Sequence, residues 1–220
     1  MKDLVIFGTG GFAREVHQIV EDLNQASSTW NFLGFLDGNV EKHQTEVHGY
    51  EVFGGASWLA HRSDTAVAVG IGNTPSKRKV VNQIRAFGSP SFPALVHPTS
   101  WVGNRVSIGD GTIICAGSLI TTDIKIGQHV VVNLDCTIGH DALIQDYVTI
   151  APSVNVSGCV IIGEGTDLGT SCTVIQGIKI GNWSVIGAGA VVVKNVDSNV
   201  TAVGIPAKQI KERLAGWHDQ

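Results

Sequence analysis

The sequence predicts a small parallel α/β domain, then a parallel β-solenoid of six-residue repeats, then a short tail. Three observations point there. From Val102 to Val192 an aliphatic residue recurs at every sixth position, sixteen times without an insertion. Upstream, strand-like apolar runs alternate with helical patterns, beginning at Asp3–Phe7. The switch between the two regimes is abrupt and falls just after His97-Pro98. A period of six belongs neither to a helix nor to a simply alternating strand. It is the period of a hexapeptide solenoid, whose short strands wrap a triangular prism.

In chain order, Asp3–Phe7 reads as a buried strand, followed by the turn Gly8-Thr9-Gly10-Gly11-Phe12-Ala13. A helical pattern then runs through about Leu23, with Val16, Ile19, Val20 and Leu23 on one face. Glycines let a backbone approach a ligand closely, and a helix N-terminus attracts phosphate. Phe32–Leu36 is a second strand, ending at Asp37-Gly38. An acidic residue there meets a ribose hydroxyl in dinucleotide-binding folds, although an ordinary strand-end turn accounts for it equally. Residues 56–61 suggest a short helix and 66–71 a buried strand. After Gly72-Asn73 comes a basic helix over about 75–87, then a strand near 92–96. The alternation predicts a Rossmann-like domain over residues 1–95. The second mononucleotide half is missing, which favours a nucleoside diphosphate over a whole dinucleotide as ligand.

The ladder defines a second domain over residues 96–200. Three hexapeptides make one coil, so residues 18 apart stack, and Ile120, Ile138, Val156 and Val174 form one internal column. Gly follows the aliphatic residue in half of the steps, Gly103 and Gly139 among them, which suggests corners that need unusual torsions. Four positions past each aliphatic lies a small or β-branched residue, such as Thr112, Ser118 or Cys172. Residues 201–220 form a cap and tail. Val203–Lys208 turns away, and Gln209–Ala215 is suited to a short basic helix with Lys211 and Arg213.

Composition narrows the function. Of 220 residues, 43% are hydrophobic and 15% charged, and the net charge is −4 with no basic run, which argues against a nucleic-acid surface. No apolar run reaches membrane-span length and Met1-Lys2-Asp3 opens no signal-peptide layout, so a cytoplasmic protein is expected. The four cysteines form no CxxC pair and read as small buried hydrophobes of a reducing compartment.

Polar residues that packing does not require gather in one coil, at Asn133, Asp135, His140 and Asp141. His140 stands where the neighbouring coils carry Thr122 and Gly158, so it is no feature of the repeat. A histidine beside a carboxylate suits general-base work near neutral pH; a solvated corner imidazole is the plain alternative. No second histidine shares the column of His140, and no acid–histidine set has ligand-like spacing, so no metal is expected.

Taken together, the GTGGFARE turn, FLDG, GIGN, the unbroken hexapeptide ladder with GHD at its middle and the closing GIPAK resemble the sialic-acid-O-acetyltransferase-like sugar acyltransferases. Within that group the chain is most similar to nucleotide-sugar 4-amino N-acetyltransferases. The resemblance covers essentially the whole chain. It implies a left-handed solenoid, a homotrimer with active sites between subunits, and acetyl-CoA as co-substrate. It implies His140 as catalytic base, Asp141 as the acid that orients it, and Asn133 as a third catalytic position. Acetyl-CoA contacts are implied at Thr149, Gly158, Thr170 and Ala188. Apart from the resemblance, Lys208, with Lys211 and Arg213, is suited to meet the coenzyme's phosphates, and a plainly solvated tail accounts for these residues equally. Contacts to a nucleotide-linked amino sugar are implied at Gly10, Gly11, Phe12, Asp37, Gly38 and Gly72. Two positions depart from relatives, some of which carry histidine in place of Phe12 and a second acid in place of Gly38. The expected reaction is N-acetylation of a 4-amino sugar. O-acetylation of a sugar, or a non-catalytic nucleotide-sugar-binding role, would leave a similar sequence.

Overall fold

The structure, a computed structural model, describes residues 1–219 and divides into two compact units, Met1–Pro98 and Thr99–Gln220. The first unit is built from β1 (Lys2–Phe7), α1 (Gly11–Ala26), β2 (Trp30–Leu36), β3 (Glu46–Val47), β4 (Tyr50–Glu51), β5 (Ala66–Val69) and α2 (Thr74–Phe87). Its sheet has the order β2-β1-β5, parallel throughout. Leu4–Phe7 and all of β5 are buried, as continuous apolar runs covered on both faces should be. The strand β3 pairs antiparallel with β4. Sequence reading leaves this hairpin out, because two-residue strands are too short to show a period. The helix expected at 56–61 is a 3-10 turn over Ala56–Leu59.

Close approach shapes the unit's ligand side. A β-carbon on Gly70, just past β5, would stand 2.6 Å from the Cα of Ala13. Only glycine lets the first turn of α1 lie against that loop, which brings the loops after β1 and β5 together.

The second unit is the solenoid. Its two-residue strands stack at intervals of 18 residues, with Ile120 opposite Ile138, Ile138 opposite Val156 and Val156 opposite Val174. One face carries six such strands, from Trp101–Val102 to Val191–Val192. The aliphatic ladder fills the prism: Ile114, Ile120, Ile138, Ile144, Ile150, Leu168 and Ile186 are fully buried. A second internal column carries the small residues. Thr112, Ser118 and Thr166 donate their hydroxyls to the carbonyls of Gly127, Asn133 and Gly181 at 2.7–2.8 Å, so these buried polar groups are satisfied.

Three expectations are corrected. The glycines that follow the ladder residues do not supply left-handed torsions. Positive φ falls two residues later, at Arg105, Asp123, His129, Asp135, Asp141, Tyr147, Ser153, Cys159, Ser171 and Trp183, and at glycines such as Gly189. The glycines after the ladder serve packing between coils: a β-carbon on Gly139 would stand 2.6 Å from the nitrogen of Gly158, and one on Gly169 2.6 Å from that of Ala188. Second, the segment 209–215 is not helical. Val200–Val203 extends the column of Val185–Ile186, and Lys208–Glu212 pairs antiparallel with it. The last coil offers an open strand edge, and covering that edge outweighs the helical preference of a short basic segment. Third, the cysteines are not all buried. Cys115, Cys136 and Cys172 are, whereas Cys159 is exposed. Burial pushes the Cys136 and Cys172 thiols up to about 11 and about 12, which keeps them protonated and inert.

Candidate active site

The histidine-acid pair sits on a corner of the prism, just past the strand Thr137–Ile138. His140 Nδ1 and Asp141 Oδ2 are 2.8 Å apart. Asp141 adopts φ 60°, the left-handed corner torsion, which turns its carboxylate back to the preceding side chain. Both side chains face solvent, 51% and 60% exposed, so a substrate can reach the imidazole. The coil above fixes the ring's other side. A β-carbon on Gly158 would fall 2.6 Å from Cε1 and Nε2 of His140, so the imidazole occupies space that any other residue there would take. The backbone is pinned across the same gap, with Cys159 N–H donating to the His140 carbonyl at 2.8 Å. The N–H of Gly158 has no acceptor among the described residues. In the coil below, Thr122 and Asp123 hold the equivalent places, and Arg105 binds Asp123 at 2.8 Å.

The remaining sequence-predicted solenoid residues are not gathered at this corner. Asn133 lies at the preceding corner, one strand away, where its Oδ1 accepts from the N–H of Leu134 at 2.7 Å. Thr170 and Ala188 stack in successive coils at that same corner, both exposed. Thr149 is buried, on the strand Thr149–Ile150. Lys208 is exposed on the final strand. Within one chain, therefore, His140, Asp141 and Gly158 form one group, and Asn133, Thr170 and Ala188 another.

The first unit holds a cleft of about 440 Å³ at the C-terminal ends of β1, β2 and β5. Gly10, Gly11, Phe12, Asp37, Gly38 and Gly72, all six sequence-predicted positions, line it together with Thr9 and Asn73. A β-carbon on Gly10, Gly11, Gly38 or Gly72 would meet nothing within 4 Å, so the backbone there borders open space. Two helix N-termini face the cleft. The α1 terminus has no side-chain cap and no acidic residue in its first turn, and Asn73 caps α2 by accepting from Ser76 N–H. Their positive ends favour an anion.

Asp37 is more heavily engaged than its sequence position suggests. Its Oδ2 accepts from the Thr9 hydroxyl and from Lys42 Nζ at 3.1 Å, and its Oδ1 accepts from Asn39 N–H at 2.9 Å. Burial alone would raise its pKa, but hydrogen bonds from Thr9, Asn39 and Lys42, with the lysine's charge, outweigh it and hold the carboxyl below its ordinary value. Sequence reading singles out neither Thr9 nor Lys42 as a partner of Asp37. Lys42 lies beyond the strand-end turn, and a short 3-10 turn over Val40–Lys42 carries it back to the carboxylate.

Comparison with known proteins agrees with both halves. The model of the PglD N-terminal domain matches residues 3–84. GDP-perosamine N-acetyltransferase of Escherichia coli is 32% identical over 214 residues, covering 94% of this chain and 95% of the relative. Among solved structures, the acetyltransferase domain of PglB from Neisseria gonorrhoeae in complex with acetyl coenzyme A superposes with a TM-score of 0.86 at 28% identity, covering 95% of this chain and 99% of the other. A histidine-to-asparagine variant of perosamine N-acetyltransferase from Caulobacter crescentus, in complex with CoA and GDP-perosamine, gives a TM-score of 0.84 at 27% identity, covering 96% and 98%.

Proposed function

The chain belongs to the family of sugar N-acetyltransferases that includes GDP-perosamine N-acetyltransferase, and from that premise we propose that it transfers the acetyl group of acetyl-CoA to the amine of a nucleotide-linked 4-amino sugar, with His140 as general base. The observation that carries the mechanism is the 2.8 Å contact between His140 Nδ1 and Asp141 Oδ2. A proton on Nδ1, donated to Asp141, leaves the lone pair on Nε2. As the amine nitrogen attacks the thioester carbonyl, Nε2 accepts its proton, and Asp141 stabilises the resulting imidazolium. The N–H of Gly158, which has no acceptor among the described residues, is the candidate donor to the developing oxyanion. Collapse of the tetrahedral intermediate breaks the carbon–sulfur bond, and the imidazolium returns its proton to the departing coenzyme A thiolate.

The acceptor's nucleoside diphosphate binds in the cleft of the first unit. Its phosphates lie at the N-termini of α1 and α2, beside Gly10, Gly11, Phe12 and Gly72, and its ribose beside Asp37 and Gly38. Acetyl-CoA binds along the solenoid through Thr149, Gly158, Thr170, Ala188 and Lys208, and Asn133 contacts the reacting groups. Of these residues, His140, Asp141 and Gly158 fall at one corner of the prism and Asn133, Thr170 and Ala188 at another, which supports a homotrimer in which the corner of one subunit faces the other corner of its neighbour. Trp101 and Leu119, 57% and 47% exposed on the face between those corners, give such a contact apolar surface.

The test is His140→Ala, assayed with acetyl-CoA and GDP-perosamine, the ligand of the structural relative. The expected fall in kcat is on the order of 10²- to 10⁴-fold, with KM for acetyl-CoA little changed. A kcat close to that of the native chain would remove His140 as base. Resistance of the product to mild base separates an amide from an ester.

A further inference from the structure

We propose that His140, Asp141 and Cys159 form a binding site for a soft divalent cation, zinc(II) being the best fitted, and that its occupancy silences acetyl transfer. The ion is an inhibitor and not a cofactor. The inhibition rests on the reading of His140 as base; the binding does not.

One nitrogen, one oxygen and one sulfur donor from these residues lie within 4.8 Å of one another. Zinc takes this mixture of imidazole, carboxylate and thiolate, at bond lengths that set neighbouring ligand atoms roughly 3.4–3.8 Å apart. The imidazole and carboxylate, 2.8 Å apart in their present contact, must open slightly to reach that spacing and the thiolate must swing to it, movements within rotamer reach because all three side chains are exposed. Three protein ligands leave one tetrahedral position for water. The linear sequence separates Cys159 from Asp141 by 18 residues, one full coil, and both stand at the left-handed corner position with φ 59° and 60°. The bond from Cys159 N–H to the His140 carbonyl fixes that stacking. The other nearby carboxylate, Asp123, is engaged by Arg105 and stands outside the cluster. The remaining cysteines are buried, so Cys159 alone presents a thiol to solvent. An ion bound here ties up the imidazole and its carboxylate, and the ring can no longer accept a proton from the amine. Because the ligands bind deprotonated, affinity should rise with pH.

The experiment uses the full chain freed of metal. Cobalt(II) is titrated as a spectroscopic stand-in, and zinc is then used to displace it and to inhibit the transferase. The expected result is a thiolate-to-cobalt charge-transfer band saturating at one ion per chain, absent in Cys159→Ser. Serine is tolerated at this corner, since Ser153 and Ser171 hold the equivalent places with φ 59° and 58°. The variant should keep its metal-free kcat while zinc inhibition weakens by at least about tenfold. No band in the native chain, or a band that survives in Cys159→Ser, overturns the site. Equal zinc inhibition of both chains overturns the inhibitory role. A native chain that binds zinc with undiminished turnover leaves the site standing and removes His140 as base.

Discussion

Gly158→Ala should disable the reaction while sparing the fold. The added methyl would stand 2.6 Å from Cε1 and Nε2 of His140, and 3.1 Å from Cδ2. That is roughly 1 Å short of the 3.5–4.0 Å at which carbon atoms pack. Gly158 lies outside the left-handed region, so alanine brings no backbone strain there. The relief must come from the ring, whose side chain is half exposed and free to swing outward. Swinging out stretches the 2.8 Å contact with Asp141 and withdraws Nε2 from the amine. A displacement of this size at a reacting group costs on the order of 10²-fold in rate, or about 2.7 kcal/mol of transition-state stabilisation. The global stability should move by less than about 1 kcal/mol, because no buried group is lost. The assay is steady-state turnover of acetyl-CoA followed by chromatography, since exposed Cys159 would consume a thiol reagent. Thermal melting is measured in parallel. A variant within about twofold of native kcat would show that the imidazole acts from elsewhere or not at all; a collapse of the melting temperature would show that Gly158 serves packing first.

Two further outcomes follow from the geometry. Gly169→Ala should destabilise the solenoid far more than Gly189→Ala: the first methyl meets backbone 2.6 Å away, whereas the second meets nothing within 4 Å and costs only the strain of φ +65°, about 1–2 kcal/mol. Urea unfolding midpoints should separate the two, and equal losses would contradict the packing role given to the glycines after the ladder. Asp37→Asn should lower stability in a pH-dependent way. The folded carboxyl lies below its ordinary value, so its contribution is fully present above the unfolded value of about 3.9 and fades as pH falls through the lowered folded value. Melting temperatures of the native chain and the variant should therefore differ most near neutrality and converge in acid, and a constant gap would mean that the Thr9, Asn39 and Lys42 bonds do not act through the charge.

Sequence alone determined the solenoid, because a hexapeptide repeat stacks on itself: which side chains point inward, and which residues become neighbours one coil up, follow from counting by six and by 18. The same ruler singled out His140, since packing asks for nothing like it at that place. The residues of the N-terminal cleft came from the family resemblance, since a glycine-rich turn by itself is a weak signal and Asp37-Gly38 reads equally as a strand-end turn; the structure lines one cleft with all six. Tertiary structure decided what counting cannot reach. It assigned the left-handed torsions to Asp141, Cys159 and their equivalents and gave the ladder's glycines the contact between coils, because φ depends on the path of the chain round the corner and not on residue type alone. It turned the tail into a strand, because an open sheet edge was there to be covered. It separated Asn133, Thr170 and Ala188 from His140, since neighbours along one coil can stand at different corners. It brought Cys159 beside the His140–Asp141 pair and Lys42 back to Asp37, contacts between side chains that the sequence holds apart and that a stacked coil and a short turn bring within reach.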